Sequence, residues 1–425
     1  MTGEGLALQA ALRRFEGLHP KTIDLSLGRI LTALDALGRP QDSLPPVIHV
    51  AGTNGKGSTC AFLRAMAEAA GLRVHVFTSP HLVRFNERVR LAGTLVDDEA
   101  YVAALDRVLA AVGDGTITFF EATTAAALLL FAEVPADLLI LEVGLGGRFD
   151  ATNVIDRPEV SVITPIDFDH KEYLGTDITR IAWEKAGIIK PDVPVASAVQ
   201  RSEAAGVIAI ETYQRGAPVS TLGGRHVVEI DGAAMRFRGP RLETGWVMPG
   251  LTGPHQFANA GLAAMAMELW GDGRVTGAAI ETGIAAAGWP ARMQKLGDGP
   301  LTSAFPELEL WLDGGHNPHA ARALAHVFDP PLTLVTAMMA NKDHAGFFEA
   351  FRGVAGRVIT IPNAKGHKGA DPEALSEAAR AGGLDAKPAA DLDTALSLCP
   401  PGRVLICGSL YMAGEVLARN EEFPL

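Results

Sequence analysis

The sequence predicts an α/β protein: a mostly parallel sheet with helices on both faces, built around a phosphate loop, with a small antiparallel patch and a smaller, Rossmann-like α/β unit at the C-terminal end. Three observations predict it. Apolar, β-branched runs alternate with helical patterns along most of the chain, as parallel strands covered on both faces require. The run His49-Val-Ala-Gly-Thr-Asn-Gly-Lys-Gly-Ser-Thr59 leads from a strand through glycines into a helix-forming sequence. Finally, 425 residues exceed one ordinary core and point to two domains.

Taken in order, the candidate strands are 47–51, 73–77, 138–143, 160–164 and 193–198, with a helix over 60–70 packed against the first. Between about Gly223 and Met248 the pattern changes to short alternating runs broken by Asp-Gly and Gly-Pro, which predicts the antiparallel patch. Helices are expected over 256–270 and 275–287. The breaker-rich stretch from Gly288 to Pro300 marks the boundary, giving domains 1–294 and 295–425. Beyond it strands recur at 308–313, 332–336, 357–361 and 403–407, with helices starting near Pro318, Ala345, Asp371 and Ser409.

Composition excludes several classes. A net charge of −12 offers no basic face for nucleic acid or an anionic membrane. Residues Met1 to Phe15 carry Glu4 early and no charged start before an apolar run, so they are not a signal peptide. The most apolar stretch, Ala125 to Ala132, stops at Glu133 and Asp137, well short of the roughly 20 residues of a membrane span; it reads as a buried helix end. Cys60, Cys399 and Cys407 form no CxxC pair and read as reduced core residues of a cytoplasmic protein.

The phosphate loop is the most specific signal. Gly52, Gly55 and Gly57 let backbone N–H groups turn toward one centre at a helix N-terminus. Lys56 reaches the outer phosphates there, and the hydroxyl of Ser58 or Thr59 suits a magnesium ion. The spacing is unusual, with Val50 where the ordinary pattern has its first glycine and Gly57 directly after the lysine. The competing reading is a plain glycine turn.

Other polar clusters fall at strand ends, where open α/β sheets bind ligands. Glu142 ends an apolar strand before Gly144 to Gly147 and needs a cation or metal partner, or a structural salt bridge. Asp167, Asp169 and His170 end the next one and suit a divalent ion, a structural histidine being the alternative. The segment Thr78 to Arg88, with Ser79, is either a substrate loop or a solvated connection. Lys185 and Lys190, near a helix C-terminus, read from spacing alone as dipole-complementing surface lysines. In the second unit Asp313-Gly-Gly-His316-Asn317-Pro318 ends a strand with an acid and a cap-ready asparagine. Arg292 lies just before it, so the two units meet over the phosphate site.

The run Gly52-Thr-Asn-Gly-Lys-Gly-Ser58 resembles the phosphate loop of the Mur ligase superfamily. The segments Thr78 to Val89, Phe119-Phe-Glu-Ala-Thr123, Glu142 to Asn153, Glu184-Lys-Ala-Gly-Ile-Ile-Lys190, His255-Gln-Phe-Ala-Asn259-Ala, Trp289-Pro-Ala-Arg292-Met, Asp313 to Pro318, Asn341-Lys-Asp343 and Gly408-Ser-Leu-Tyr411 are similar to its folylpolyglutamate synthase and dihydrofolate synthase branch. They run in order from roughly residue 20 to 415. Two departures, Ala291 for a usual glycine and Gly315 where alanine is common, remove no functional group.

The resemblance implies an ATP-dependent ligase that phosphorylates a pterin-linked carboxylate and joins it to glutamate. It implies ATP contacts from Thr53, Asn54, Gly55, Lys56, Gly57, Ser58, Asn259, Arg292 and Asp313. It places Ser79, Glu142 and His170 on magnesium with Ser58 near the phosphates, and makes Lys185 a carbamylated ligand to a second ion. Lys56, Lys185, His170, Asp313 and His316 are the implied catalytic set. Thr22, Ile23, Asp24 and Leu25, with Thr118, Phe119, Phe120, Glu121 and Phe149, are similar to a dihydropteroate pocket. The implied substrates are dihydropteroate, reduced folate and L-glutamate, handled by a monomeric enzyme with no nucleic acid or membrane partner. Alternatives are polyglutamate extension alone, a cell-wall Mur ligase, or a nucleotide-binding switch.

Overall fold

The computed structural model of the chain describes residues 3–15, 26–364 and 369–424. Thr22, Ile23, Asp24 and Leu25 lie outside the described residues. Strands β1 (Val47–Ala51), β2 (Val74–Phe77), β3 (Val89–Leu91), β4 (Thr94–Leu95), β5 (Leu138–Glu142), β6 (Val160–Ile163), β7 (Val195–Ser197) and β8 (Val219–Thr221) form one sheet in the order β4-β3-β2-β5-β1-β6-β7-β8. From β2 to β8 neighbouring strands pair in parallel, and β3 and β4 add an antiparallel edge. All five residues of β1 and of β5 are buried, which explains why these strands read as unbroken apolar runs.

Helices cover both faces. Lys56–Ala69 packs with His255–Trp270 and Gly277–Ala286 on one side. A Cβ on Gly283 would lie 2.4 Å from the Met66 backbone, so only glycine allows that approach. On the other side Phe119–Glu133 is buried continuously from Glu121 to Phe131, and the apolar stretch at 125–132 is the inner part of this helix. Removing a large side chain such as Phe131 there costs about 3–5 kcal/mol.

The antiparallel patch is a ribbon of β9 (Val227–Asp231) and β10 (Ala234–Arg238). A second sheet holds β11 (Gln294–Lys295), β12 (Leu308–Leu312), β13 (Leu332–Thr336), β14 (Ala355–Thr360), β15 (Ala386–Pro388) and β16 (Gly402–Cys407), in the order β11-β12-β16-β13-β14-β15. All its pairings are parallel except β11 with β12. Short strands such as β3, β4, β8, β11 and β15 escape sequence reading because two or three residues carry no period.

Candidate functional site

The carboxyl ends of β1, β5 and β6 lie side by side, and each delivers one predicted cluster. After β1 the chain turns through Gly52, φ 151°, and Gly55, φ 85°, into the helix starting at Lys56. The glycines are required by contact as well as by angle. A Cβ on Gly52 would stand 1.8 Å from Thr164 Oγ1, one on Gly55 2.6 Å from Asn259 Oδ1, and one on Gly57 2.9 Å from the Trp289 indole nitrogen. The loop is anchored by Thr53, whose N–H donates to Pro165 O at 3.0 Å and whose hydroxyl donates to Asp167 O at 2.9 Å.

Two ammonium groups converge on one carbonyl of this loop. Lys56 Nζ donates to Gly52 O at 3.2 Å, and Lys185 Nζ donates to the same oxygen at 2.8 Å. Lys185 is buried, which corrects the surface reading drawn from spacing; the helix Ile178–Lys185 points it inward. Burial, reinforced by the Lys56 charge, pushes its pKa down to about 7. A small cavity of about 20 Å³ opens beside it, lined by Gly52, Lys56, Gly144, Asp169, His170 and Lys185.

Glu142 is buried at the end of β5 and accepts one hydrogen bond among the described residues, from the Ser79 N–H at 3.2 Å. Burial raises its pKa, against the pull of Lys56. A buried carboxylate so sparsely bonded suits a cation. His170 sits at φ 50° after β6, and burial drives its pKa down to about 4. Its imidazole is therefore neutral at pH 7, the form that ligates a metal. Among the described residues no three His, Cys, Asp or Glu side chains gather as a metal group. Ser58, Ser79, Glu142 and His170 all line one cavity of about 320 Å³. Ser58 also accepts from Gln256 Nε2 at 3.4 Å, and Asn259 Nδ2 donates to Gln256 Oε1 at 2.9 Å.

The reading of Asp167 and Asp169 as metal ligands is corrected by their partners. Asp167 faces Arg322 at 3.4 Å and Arg201 at 3.6 Å. Asp169 takes Lys342 Nζ at 2.6 Å, Asn317 Nδ2 at 3.1 Å and His316 Nε2 at 3.4 Å. Burial alone would raise the Asp169 pKa, but His316, His170 and Lys342 together hold it far below the usual carboxylate range. Both aspartates therefore stitch the first sheet to the second. Asn54 and Asn317 add a reciprocal amide pair, with Asn317 Nδ2 to Asn54 Oδ1 at 3.0 Å and Asn54 Nδ2 to Asn317 Oδ1 at 3.3 Å. The sequence shows these residues, but nothing in a linear pattern pairs positions so far apart.

In the second unit Asp313 is buried, and its carboxylate accepts the Met293 N–H at 2.8 Å and the Gly315 N–H at 2.6 Å. It thereby fixes the turn in which Ala291 and Met293, at φ 51° and 46°, flank Arg292. Arg292, Asp313 and His316 line the large cavity with the phosphate loop. Asn317 caps Pro318–Ala325 by accepting from Ala320 N–H.

The predicted acceptor residues are less gathered. Thr118 and Glu121 form a capping box for Phe119–Glu133, and Glu121 also takes Arg29 Nε at 3.0 Å. Phe119 packs edge-on to Phe85 with ring centres 5.7 Å apart. Phe120 lies against Gly144, whose added Cβ would be 2.4 Å from its ring. Phe149 is half exposed beside Trp183 at 6.4 Å. Among these five, none lines the large cavity, though Phe120 touches its wall at Gly144.

A phosphate loop at the edge of one α/β sheet, closed by an arginine turn from a second, defines a two-unit nucleotide-binding architecture. Residues 50–267 match the Mur ligase middle domain, and residues 292–410 match the Mur ligase glutamate ligase domain. The folylpolyglutamate synthase of Lacticaseibacillus casei is 35% identical over 419 residues, covering 91% of this chain and 92% of its own. The dihydrofolate synthase/folylpolyglutamate synthase of Escherichia coli is 36% identical over 420 residues, covering 96% and 94%. Among solved structures, the Mycobacterium tuberculosis folylpolyglutamate synthase complexed with ADP superposes with a TM-score of 0.89 at 30% identity, over 99% of this chain and 100% of that one. The E. coli protein with DHPP and ADP gives 0.85 at 34% identity, over 97% of each. A bifunctional folylpolyglutamate synthase/dihydrofolate synthase with Mn, AMPPNP and L-glutamate bound gives 0.83 at 32% identity, over 97% of each. The chain belongs to the Mur ligase superfamily, in its dihydrofolate synthase/folylpolyglutamate synthase family.

Proposed function

We propose that this protein is an ATP-dependent ligase that adds L-glutamate to dihydropteroate, giving dihydrofolate, and to reduced folates, giving folylpolyglutamates. One observation carries the reading: Lys56, Glu142 and His170 of the first unit, Arg292 at the junction, and Asp313 and His316 of the second share the wall of one cavity. Relatives over 90% of the chain bear both activities in their names, and relatives were solved with DHPP and ADP and with AMPPNP, Mn and L-glutamate.

The chemistry has two displacements. An acceptor carboxylate oxygen attacks the γ-phosphorus of ATP, the bridging P–O bond breaks, and ADP leaves. The glutamate amine then attacks the acyl carbon of the acyl phosphate, the C–O bond to phosphate breaks, and the nitrogen loses a proton. Thr53 through Ser58 cradle the phosphates by backbone N–H groups, with Lys56 and Arg292 supplying positive charge. Asn259 and Asp313 complete the nucleotide contacts, Asp313 also by fixing the Arg292 turn. Ser79, Glu142 and His170 are assigned to magnesium, with Ser58 beside the phosphates. When bound, the metal neutralises charge on the transferring phosphoryl group.

Lys185 is assigned as a carbamylated lysine serving a second ion. Its neutral amine attacks carbon dioxide, an N–C bond forms, a C=O electron pair moves to oxygen, and the nitrogen releases a proton. The depressed pKa and the cavity beside Nζ support this. Thr22 to Leu25, Thr118 to Glu121 and Phe149 are assigned to the pterin acceptor, with Glu121 acting through its Arg29 pair. The reading also takes 1–294 as the ATP-binding domain and 295–425 as the glutamate ligase domain, supported by the two family matches. The reading takes the protein as a cytoplasmic monomer, and the buried, reduced thiols agree with that compartment. Among the described residues no helix is long and apolar enough to cross a membrane.

The test is ADP release with dihydropteroate or tetrahydrofolate, with and without L-glutamate. Release that depends on glutamate is expected with both acceptors. Equal release without glutamate sinks the ligase reading and favours a nucleotide switch.

A further inference from the structure

The residues assigned to magnesium, Ser79, Glu142 and His170, with Ser58 beside them, all belong to the first unit and line one cavity. Ser79, however, is carried on a loop whose tip is seated in the second unit. The chain leaves β2 at Phe77, runs out past Ser79 and returns through the turn Phe85–Arg88 into β3. The Thr78 N–H donates to Arg88 O at 3.0 Å and closes the base of this excursion. At its tip, Leu82 and Val83 pack against a core of the second sheet that includes Leu312, Ile406 and Ala413. The approach is close. Gly414, buried in the helix Leu410–Arg419, faces the Leu82 carbonyl, and a Cβ on it would stand 1.9 Å from that oxygen. Only glycine lets the helix come so near. Arg84 lies over the Phe423 ring, 4.7 Å from its centre, so the second unit grips the loop at two points.

Glu87 makes the loop stiff enough to transmit that grip. One of its carboxylate oxygens accepts the Leu82 N–H at 2.7 Å, and the other accepts the N–H groups of Val83 at 2.8 Å and Arg84 at 2.6 Å. Charge-assisted bonds from three successive backbone donors tie the tip to the Phe85–Arg88 turn. Toward the start of the same loop the Ser79 N–H donates to Glu142 at 3.2 Å, so where the tip sits decides where Ser79 meets that carboxylate. We infer that Gly414 and Glu87 are positioning residues for the metal: the second unit, by seating Leu82, sets Ser79 against Glu142, and ion affinity in the first unit depends on docking of the second. The inference rests on the ligase reading above and its assignment of Ser79 and Glu142 to magnesium. Neither Gly414 nor Glu87 ligates the ion; both act through the loop. An open cleft therefore holds its ion less tightly than a closed one, although every ligand assigned to that ion stays on one side of it.

The test uses the full chain and reads Mn2+ affinity with ADP present, by water-proton relaxation, on wild type, Gly414→Ala, Glu87→Gln and the control Gly206→Ala. Gly206 lies in the helix Ser202–Arg215 with nothing within 4 Å of an added Cβ. Alanine is the better helix former, so harm from Gly414→Ala comes from the methyl group against Leu82. In Glu87→Gln the amide nitrogen cannot accept a hydrogen bond, so the three N–H groups are left with one acceptor atom. Loss of about tenfold or more in Mn2+ affinity in either variant, the usual effect of removing a group that orients a metal ligand, supports the inference when metal-free ADP binding by calorimetry is unchanged and Gly206→Ala behaves as wild type. Turnover should then return at excess metal, which a merely structural lesion does not allow. Wild-type Mn2+ affinity in both variants overturns the inference, as does a loss of turnover that excess metal leaves in place. If Gly414→Ala does not fold, Glu87→Gln decides alone by the same criteria. Failure of the parent reading shows separately, as wild-type ADP release that ignores glutamate.

Discussion

Asp169 and Lys342 lie 2.6 Å apart, both about nine-tenths buried, and join the end of β6 to the loop after β13. Neither residue belongs to the same sheet as the other, so the pair is a tertiary fastening between the two halves of the cleft.

Substituting Asp169→Asn strands the Lys342 ammonium in a largely buried place, at a cost of about 3–5 kcal/mol. The denaturant midpoint should fall sharply, while the double variant Asp169→Asn, Lys342→Met recovers much of the loss. A double-mutant cycle from urea titrations reads the coupling, and independent, additive losses would contradict it. The folded Asp169 pKa is depressed, so its contribution is fully present above the unfolded carboxylate pKa and fades as pH falls below it. The pair therefore holds throughout neutral pH.

Lys185→Ala should lower turnover on the order of 100-fold, as when one fixed electrostatic group is deleted from a charge-transfer site. Lys185→Arg should be equally impaired, because a guanidinium does not carry a carbamate. Turnover like wild type in either variant defeats the assignment. The linkage has a definite sign: the folded pKa, about 7, lies below the ordinary 10.5. Between those values the unfolded chain binds more protons, so stability rises with pH in that window, and Lys185→Met should flatten the rise.

For Glu142→Gln, activity and stability move in opposite directions. Burial raises the carboxyl pKa, so ionised Glu142 costs the metal-free fold at neutral pH. The amide removes that cost and should raise the metal-free Tm by a few degrees, corresponding to about 1 kcal/mol. The same change should abolish the Tm increase that wild type gains from magnesium plus ATP. A variant that keeps that increase argues against a metal role for Glu142.

Gly52→Ala forces a methyl group into Thr164 Oγ1 at a backbone angle of 151° that L residues avoid. Nucleotide binding should fall below detection in calorimetry while the second unit keeps its secondary structure. Near-normal ATP affinity would mean that the loop re-forms without its present packing.

Much of the fold was legible because buried parallel strands write themselves as apolar runs. Val47–Ala51, Leu138–Glu142 and Leu332–Thr336 lie where the pattern placed them, within a residue. The phosphate loop was legible because glycine, lysine and hydroxyl positions are fixed by local geometry. Lys185 was not legible from spacing, since a helix-end lysine is usually solvated and only packing reveals its burial; resemblance alone pointed to it. Asp167 and Asp169 misled for the opposite reason. Acids clustered at a strand end look alike in sequence whether they face a metal or, as here, Arg322 and Lys342 of a distant unit.

The reciprocal amides of Asn54 and Asn317 give the cleft a clasp with no charge on either half. Added salt has nothing to screen there, and the neighbouring Asp169–Lys342 pair is shielded by burial. Salt should thus reach the apposition of loop and second unit chiefly through the more exposed Asp167–Arg322 pair, while the polyanionic cargo between them stays salt-sensitive.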